Sequence, residues 1–242
     1  MTTPPSPGTL HLIPVGLGDA PTSSWLPGDA QTLVSRLTVY IAENAKTARA
    51  FLKLVGTTVP LQEITIHTLS EKTTDAQIEG WLTPLRNGGE IGLVSEAGCP
   101  AVADPGARVA AMAHRMALRV APWVGPSSIL LSLMASGLDG QRFAFHGYAA
   151  IEPAQRARQI KTWEAESRRL RQTQLFIETP YRNGAMFDTL LQTLAGGTRL
   201  CVARDLTTAS EWVRTAPIAE WKTRPAPDLH RKPAIFLFLA AS

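Results

Sequence analysis

The chain contains only two cysteines, Cys99 and Cys201, and only six of its 24 basic residues are lysines. Two thiols exclude a disulfide framework. They also fall short of the four Cys or His ligands, in paired spacing, of a structural zinc site, so no metal is expected. The shortage of lysine leaves a formal net charge of +4 carried mainly by arginine. Planar guanidinium forks suit carboxylates and phosphates; an acidic partner is one reading of that bias and a purely compositional preference is the other. Long apolar runs are missing too. Nothing approaches the roughly 20 residues a membrane span requires, the longest candidate being residues 235–241. The opening MTTPPSPGTL has neither the basic nor the apolar region of a leader peptide, so a cytoplasmic location with no membrane partner is expected. No P-loop is found, and PVGLGD, from Pro14 to Asp19, lacks the third glycine and the ribose acid of a dinucleotide fingerprint. That turn is instead suited to a close backbone approach to a ligand.

What the chain does have is enough apolar residue, 45% of 242, to bury a substantial core. Apolar segments at 9–15, 38–43, 61–67, 90–95 and 118–124 read as strands. Stretches at 44–55, 72–87 and 106–117 carry apolar residues at spacings of three and four and read as helices. Alternation of the two predicts a mainly parallel sheet with covered faces. The second half predicts helix 127–137, strand 142–148, a long polar helix over 153–171, strand 173–178, helix 182–195, strand 199–205 and a final strand at 234–240. The segment 206–233, with four prolines, predicts a hairpin-like excursion rather than a helix, and hence a mixed sheet. The expected fold class is α/β with two α/β domains, 1–124 and 125–242, and a ligand cleft between them.

The chemistry-bearing residues cluster at predicted strand ends. In SEAGCPAVADPG, from Ser95 to Gly106, two glycines free to adopt positive φ and two prolines fix the directions of backbone amides and carbonyls. Glu96 is an acceptor for an ammonium or hydroxyl, and Asp104 reads as the cap of the helix starting at 106. Cys99 has no histidine near it in sequence to activate it. Glu178, in IETPYR, is either a general base or the ion-pair partner of Arg182 four residues on. On the helix 153–171, Arg158, Lys161, Arg168 and Arg169 share one face opposite Ile160, Trp163 and Leu170. That face is either merely solvated or a phosphate contact for RNA.

Six ordered stretches, GTLHLIPVGLGD, GLVSEAGCPAVADPG, VAPWVGPSSILLSLMASGL, RFAFHGYAA, LFIETPYR and LCVARDLT, resemble the tetrapyrrole methylase superfamily over nearly the whole chain, and within it the branch of 16S rRNA ribose 2′-O-methyltransferases. The resemblance implies a two-domain fold binding S-adenosylmethionine between the domains, a homodimer, and rRNA or the small ribosomal subunit as partner. It implies cofactor contacts at Pro14, Ser95, Glu96, Ala97, Gly98, Val102, Ser127, Ser128, Tyr148, Pro233 and Ala234. A hydroxyl acceptor calls for a base, with Glu43 and Glu178 as the catalytic candidates beside Glu96 and His67. In AENAKTAR, Asn44 and Lys46 stand where that branch carries aspartate and arginine, and the sequence ends at Ser242 directly after the last strand. Two rival readings follow from these departures: a tetrapyrrole C-methyltransferase, whose arginines grip ring carboxylates, and a cofactor-binding module without catalysis.

Overall fold

The computed structural model describes residues 8–241; most of the proline-rich opening lies outside them. The chain divides into two compact units, Met1–Ser127 and Ser128–Ser242. In the first, β1 (Thr9–Ile13), α1 (Gly28–Arg36), β2 (Val39–Ala42), α2 (Ala45–Val55), β3 (Thr65–Thr68), α3 (Asp75–Leu82), β4 (Glu90–Val94), α4 (Gly106–Arg115) and β5 (Arg119–Pro122) alternate along the chain. The five strands form a wholly parallel sheet in the order β3-β2-β4-β1-β5. Successive side chains of a strand face opposite ways, and both faces are covered. Ile13, Tyr40, Ala42 and Val94 pack beneath α1 and α2. Leu10, Ile41, Ile91 and Leu93 pack against α3 and α4. Among the described residues, no helix is long and apolar enough to cross a membrane.

Helix starts are specified locally. The Asn44 side chain accepts the Lys46 amide at 2.9 Å and starts α2, while Thr74 and Gln77 form a reciprocal capping box on α3. The expected strand 61–67 shortens to four residues because 61–63 form a turn after Pro60. The expected helix 72–87 becomes α3 followed by a 3-10 turn at Thr83–Asn87, where Pro84 lacks the amide proton that would continue the helix.

Two buried features of this sheet depend on the particular residues present. His11 is 6% exposed; its Nδ1 accepts the Trp123 indole N–H at 3.0 Å, so the proton sits on Nε2 and is donated to Glu90 at 3.1 Å. Glu90 is in turn held by Arg36. Burial, more than any charge nearby, lowers the His11 pKa. At Gly92 a side chain is excluded: a Cβ there would lie 2.6 Å from the ring of Tyr40, whose hydroxyl donates to the Val34 carbonyl at 2.8 Å in the core. Gly92→Ala is expected to cost about 2 kcal/mol through overpacking and to lower Tm by about 4–8 °C. Thermal denaturation followed by circular dichroism measures it, and an unchanged Tm would mean that the Tyr40 ring turns aside freely.

The second unit holds α5 (Ser128–Ser136), β6 (Phe143–Tyr148), α6 (Pro153–Leu170), β7 (Thr173–Ile177), α7 (Asn183–Thr193), β8 (Arg199–Arg204), β9 (Trp212–Pro217), α8 (Ile218–Trp221) and β10 (Ala234–Leu239). Its sheet, ordered β6-β7-β10-β8-β9, is mixed: β6 and β7 run parallel and the other pairs antiparallel. The excursion after β8 is a hairpin partner, β9, as expected, together with the one-turn helix α8, for which the proline-rich segment had left little room. Pro217 stands just before α8, where its missing amide proton is no loss. Phe176, Phe236 and Phe238 form the centre of this core with Trp163 of α6 and Phe187 of α7. The basic residues Arg158, Lys161, Arg168 and Arg169 of α6 are exposed, whereas Arg156 is buried and donates to Thr189 on α7 at 3.2 Å.

Candidate functional site

In the first unit the site is built by topology. β2, β4 and β1 are neighbours, and their last residues are in register: Val94 pairs with Ala42 on one side and with Ile13 on the other. The residues that follow, Glu43, Ser95 and Pro14, therefore emerge side by side at the carboxyl edge, where open α/β sheets place their ligands. A pair of backbone bonds, Val15 N–H to Gly98 O and Gly98 N–H to Val15 O, each 2.9 Å, ties the turn after β1 to the loop after β4. Pro14 is buried, and its ring lies so close to Gly125 that a Cβ there would fall 2.3 Å from it. Gly98 sits at φ +74°, a left-handed conformation that a side chain would strain. The Ser95 hydroxyl turns inward to the carbonyls of Ala97 and Gly98, leaving Glu96 and Ala97 exposed.

The next segment is strained. Ala101 and Ala103 both have positive φ, 67° and 61°, each costing on the order of 1 kcal/mol. Asp104 compensates: its Oδ1 accepts the amide protons of Ala101 and Gly106 at 3.0 and 2.6 Å, so although Pro105 holds the N-cap position of α4, Asp104 one residue before it satisfies the first amide of the helix. Its other oxygen, Oδ2, is buried without a partner. The same carboxylate lines an open pocket of about 610 Å³ with Glu43, Ser70 and Glu71, walled by Leu69 and Pro105. Val102, on the outward side of this turn, is half exposed.

Electrostatics single out one carboxylate among the candidates. The Glu43 pKa is raised, first by burial and then by the negative charges of Asp104 and Glu96, with a Glu96 backbone hydrogen bond opposing. The Asp104 pKa is raised as well, by burial. His67 lies flat on the Trp81 indole, ring centroids 4.9 Å apart, and burial lowers its pKa. Cys99 donates to the Pro126 carbonyl at 3.4 Å, and burial raises its pKa; nothing activates it as a nucleophile. Sequence reasoning missed Ser70, Glu71 and the second oxygen of Asp104. Only the placement of the loop after β3 beside the start of α4 reveals them.

The remaining sequence candidates fall in the second unit or at its border. Ser127 ends the first unit and Ser128 begins α5, both partly buried. Tyr148 is 57% exposed, at a β6 irregularity that follows Gly147 at φ +68°. It pairs with Ile177 of β7, which pairs in turn with Ile235 of β10. Tyr148, Glu178, Pro233 and Ala234 thus gather at one end of this sheet. Of the two roles open to Glu178, the ion pair is the one formed. Its side chain is fully buried, and Oε1 accepts from the Thr179 amide at 2.6 Å and from Arg182 Nε and Nη2 at 2.9 and 2.5 Å. Its Oε2 has no partner.

The chain is 32% identical over 238 residues to the ribosomal RNA small subunit methyltransferase I of Xylella fastidiosa (strain Temecula1), spanning 97% of this chain and 81% of that protein. The protein of the same name from Pseudomonas aeruginosa is 26% identical over 227 residues, spanning 94% and 76%. Among solved structures, the methyltransferase CobJ superposes with a TM-score of 0.63 at 14% identity, over 97% of this chain and 95% of that one. The uroporphyrin-III-C-methyltransferase of Thermus thermophilus does so with a TM-score of 0.50 at 18% identity, over 96% and 92%. At those identities the likeness shows the fold alone. No family model matches.

Proposed function

Since the chain belongs to the ribosomal RNA small subunit methyltransferase I family of methyltransferases, on the tetrapyrrole methylase fold, we propose that it methylates a ribose 2′-hydroxyl of 16S rRNA, with S-adenosylmethionine as donor and Glu43 as general base. The observation that carries this reading is a half-buried carboxylate of raised pKa at the carboxyl edge of three adjacent strands. A hydroxyl acceptor has to give up a proton, and a carboxylate with a raised pKa accepts one more readily than an ordinary one.

The donor set suits the cofactor. Glu43, Glu71 and Asp104 line the pocket with carboxylates, which favours a sulfonium and an ammonium. The loop from Ser95 to Gly98 is held against Val15 by two backbone bonds and presents the adjoining Glu96 and Ala97 to a ligand. When bound, the cofactor supplies a methyl group on positively charged sulfur. Glu43 would take the proton that the acceptor hydroxyl gives up on methylation. Pro14, backed by Gly125, and the paired loops limit motion at the reacting centre, where a small misplacement is costly. Val102 and Ser127 in the first unit, and Ser128, Tyr148, Pro233 and Ala234 in the second, are proposed as further cofactor contacts. Asn44 caps α2 through its side-chain oxygen, a role that aspartate fills equally well. Glu178 is assigned to holding Arg182. A homodimer is proposed as the assembly, supported by the exposed Leu130 and Met134 one turn apart on α5.

The decisive experiment offers tritiated S-adenosylmethionine and 30S subunits from a strain lacking this gene. Label is expected in 16S rRNA, at a nuclease-resistant 2′-O-methylated dinucleotide. Label appearing only in a carboxylated tetrapyrrole would overturn the proposed acceptor, and absence of cofactor binding by calorimetry at millimolar concentration would overturn the donor.

A further inference from the structure

The turn after β7 carries a feature that the methyl-transfer chemistry does not use. Tyr181 is 76% exposed, an unusual position for a large aromatic side chain, and the Arg231 guanidinium lies over its ring, 5.7 Å from the centroid. The two residues are fifty positions apart and are brought together by a clamp. Asn183, fully buried at the start of α7, donates its Nδ2 to the Lys232 carbonyl at 2.7 Å. Leu229, 3% exposed, anchors the other side of that loop. Arg231 is held at φ +55°, and the Tyr181 turn is closed by a bond from the Arg182 amide to the Thr179 carbonyl at 2.9 Å, with Pro180 inside it. Both side chains are therefore presented by fixed backbone.

Their charges are arranged asymmetrically. Lys232 is neutralised by Asp228 at 3.1 Å and Asp205 at 3.8 Å, and Arg182 by Glu178. Arg231 makes no ion pair among the described residues. An unpaired guanidinium on one face of an exposed ring leaves the other face open to a planar partner. That combination matches single-stranded nucleic acid, which offers a base to stack on an aromatic face and a phosphate to pair with an arginine. The turn begins at Glu178, at the same end of the sheet as Tyr148 and Ala234.

We propose that Tyr181 and Arg231 form a stacking platform for an unpaired nucleotide of the RNA acceptor, with the base on the open face of the ring and a phosphate at the guanidinium. The proposal rests on the reading that the acceptor is RNA. It is tested by fluorescence anisotropy of a labelled, unstructured oligoribonucleotide at several salt concentrations, with methyl transfer to 30S subunits measured in parallel. Tyr181→Ala is expected to weaken binding about tenfold, the loss of one stacked base, while Tyr181→Phe, which keeps the ring, binds within about twofold of wild type. Arg231→Ala is expected to reduce the slope of log affinity against log salt by about 0.7, one phosphate contact on a single strand. Tm should stay unchanged in all three, since both side chains are exposed. If the wild-type protein methylates 30S subunits but Tyr181→Ala binds the oligonucleotide normally, or Tyr181→Phe loses as much as Tyr181→Ala, the platform is wrong and the acceptor stands. If the wild-type protein labels only a tetrapyrrole, the acceptor reading fails and the platform with it.

Discussion

Glu43→Gln is expected to slow methyl transfer by about 10²–10⁴, the usual contribution of a positioned base, with a far smaller change in cofactor affinity. Single-turnover transfer of labelled methyl to 30S subunits measures the rate, and calorimetry the affinity. The wild-type rate should rise with pH through the raised pKa of Glu43; the variant should lose that limb. The same substitution has an opposite effect on stability. A carboxylate whose folded pKa lies above its ordinary 4.5 binds its proton more tightly when folded. Its contribution to stability is complete below about that pH and is lost as pH rises through the folded value. At pH 7–8 Glu43 is thus a cost, and Glu43→Gln should melt above wild type, with the advantage shrinking towards pH 4. A variant that is slow but melts at the wild-type temperature at every pH would argue against a buried, strained base. A variant with the wild-type rate would remove Glu43 from the chemistry.

Arg182→Met should strongly destabilise the second unit. Glu178 has a fully buried side chain, and Arg182 supplies two of the three donors on its Oε1. Removing the arginine leaves a buried carboxylate with one amide donor. Losing one partner of a buried pair costs about 3 kcal/mol or more, equivalent to a Tm lower by about 6–12 °C for a chain of this size. Glu178→Gln on the Arg182→Met background removes the stranded charge and should recover much of the loss. Differential scanning calorimetry of the two single variants and the double variant gives the coupling directly. If Arg182→Met melts like wild type, the carboxylate is compensated by something other than the arginine.

Much of the fold was legible in the residues themselves. The strands β1, β2, β4, β7, β8 and β10 and the helices α2, α4 and α6 follow from periodicity, because that signal acts within a few residues of the chain. The reading was weaker where a proline or a distant partner decides. Pro60 and Pro84 shortened one strand and broke one helix, and α8 forms in a segment whose prolines argued against any helix. The loop from Ser95 to Gly106 was readable as a rigid turn for a ligand, and its glycines sit where a side chain would be strained or excluded. The split role of Asp104 was half visible: the cap is two residues away, while the pocket wall with Ser70 and Glu71 comes from a different part of the chain.

The sequence by itself determined which segments are strand, helix or punctuated turn, and which carboxylates and arginines are at hand, since periodicity, capping and turn chemistry are written in neighbouring residues. The tertiary structure alone decided what those groups do. The raised pKa that fits Glu43 to its proposed role comes first from burial and then from the charges of Asp104 and Glu96, and Glu178 becomes a tether because it is sealed beneath Arg182. Tyr181 meets Arg231 because a buried asparagine joins two loops. Burial and Coulomb interaction depend on distance in space, which folding sets independently of separation along the chain.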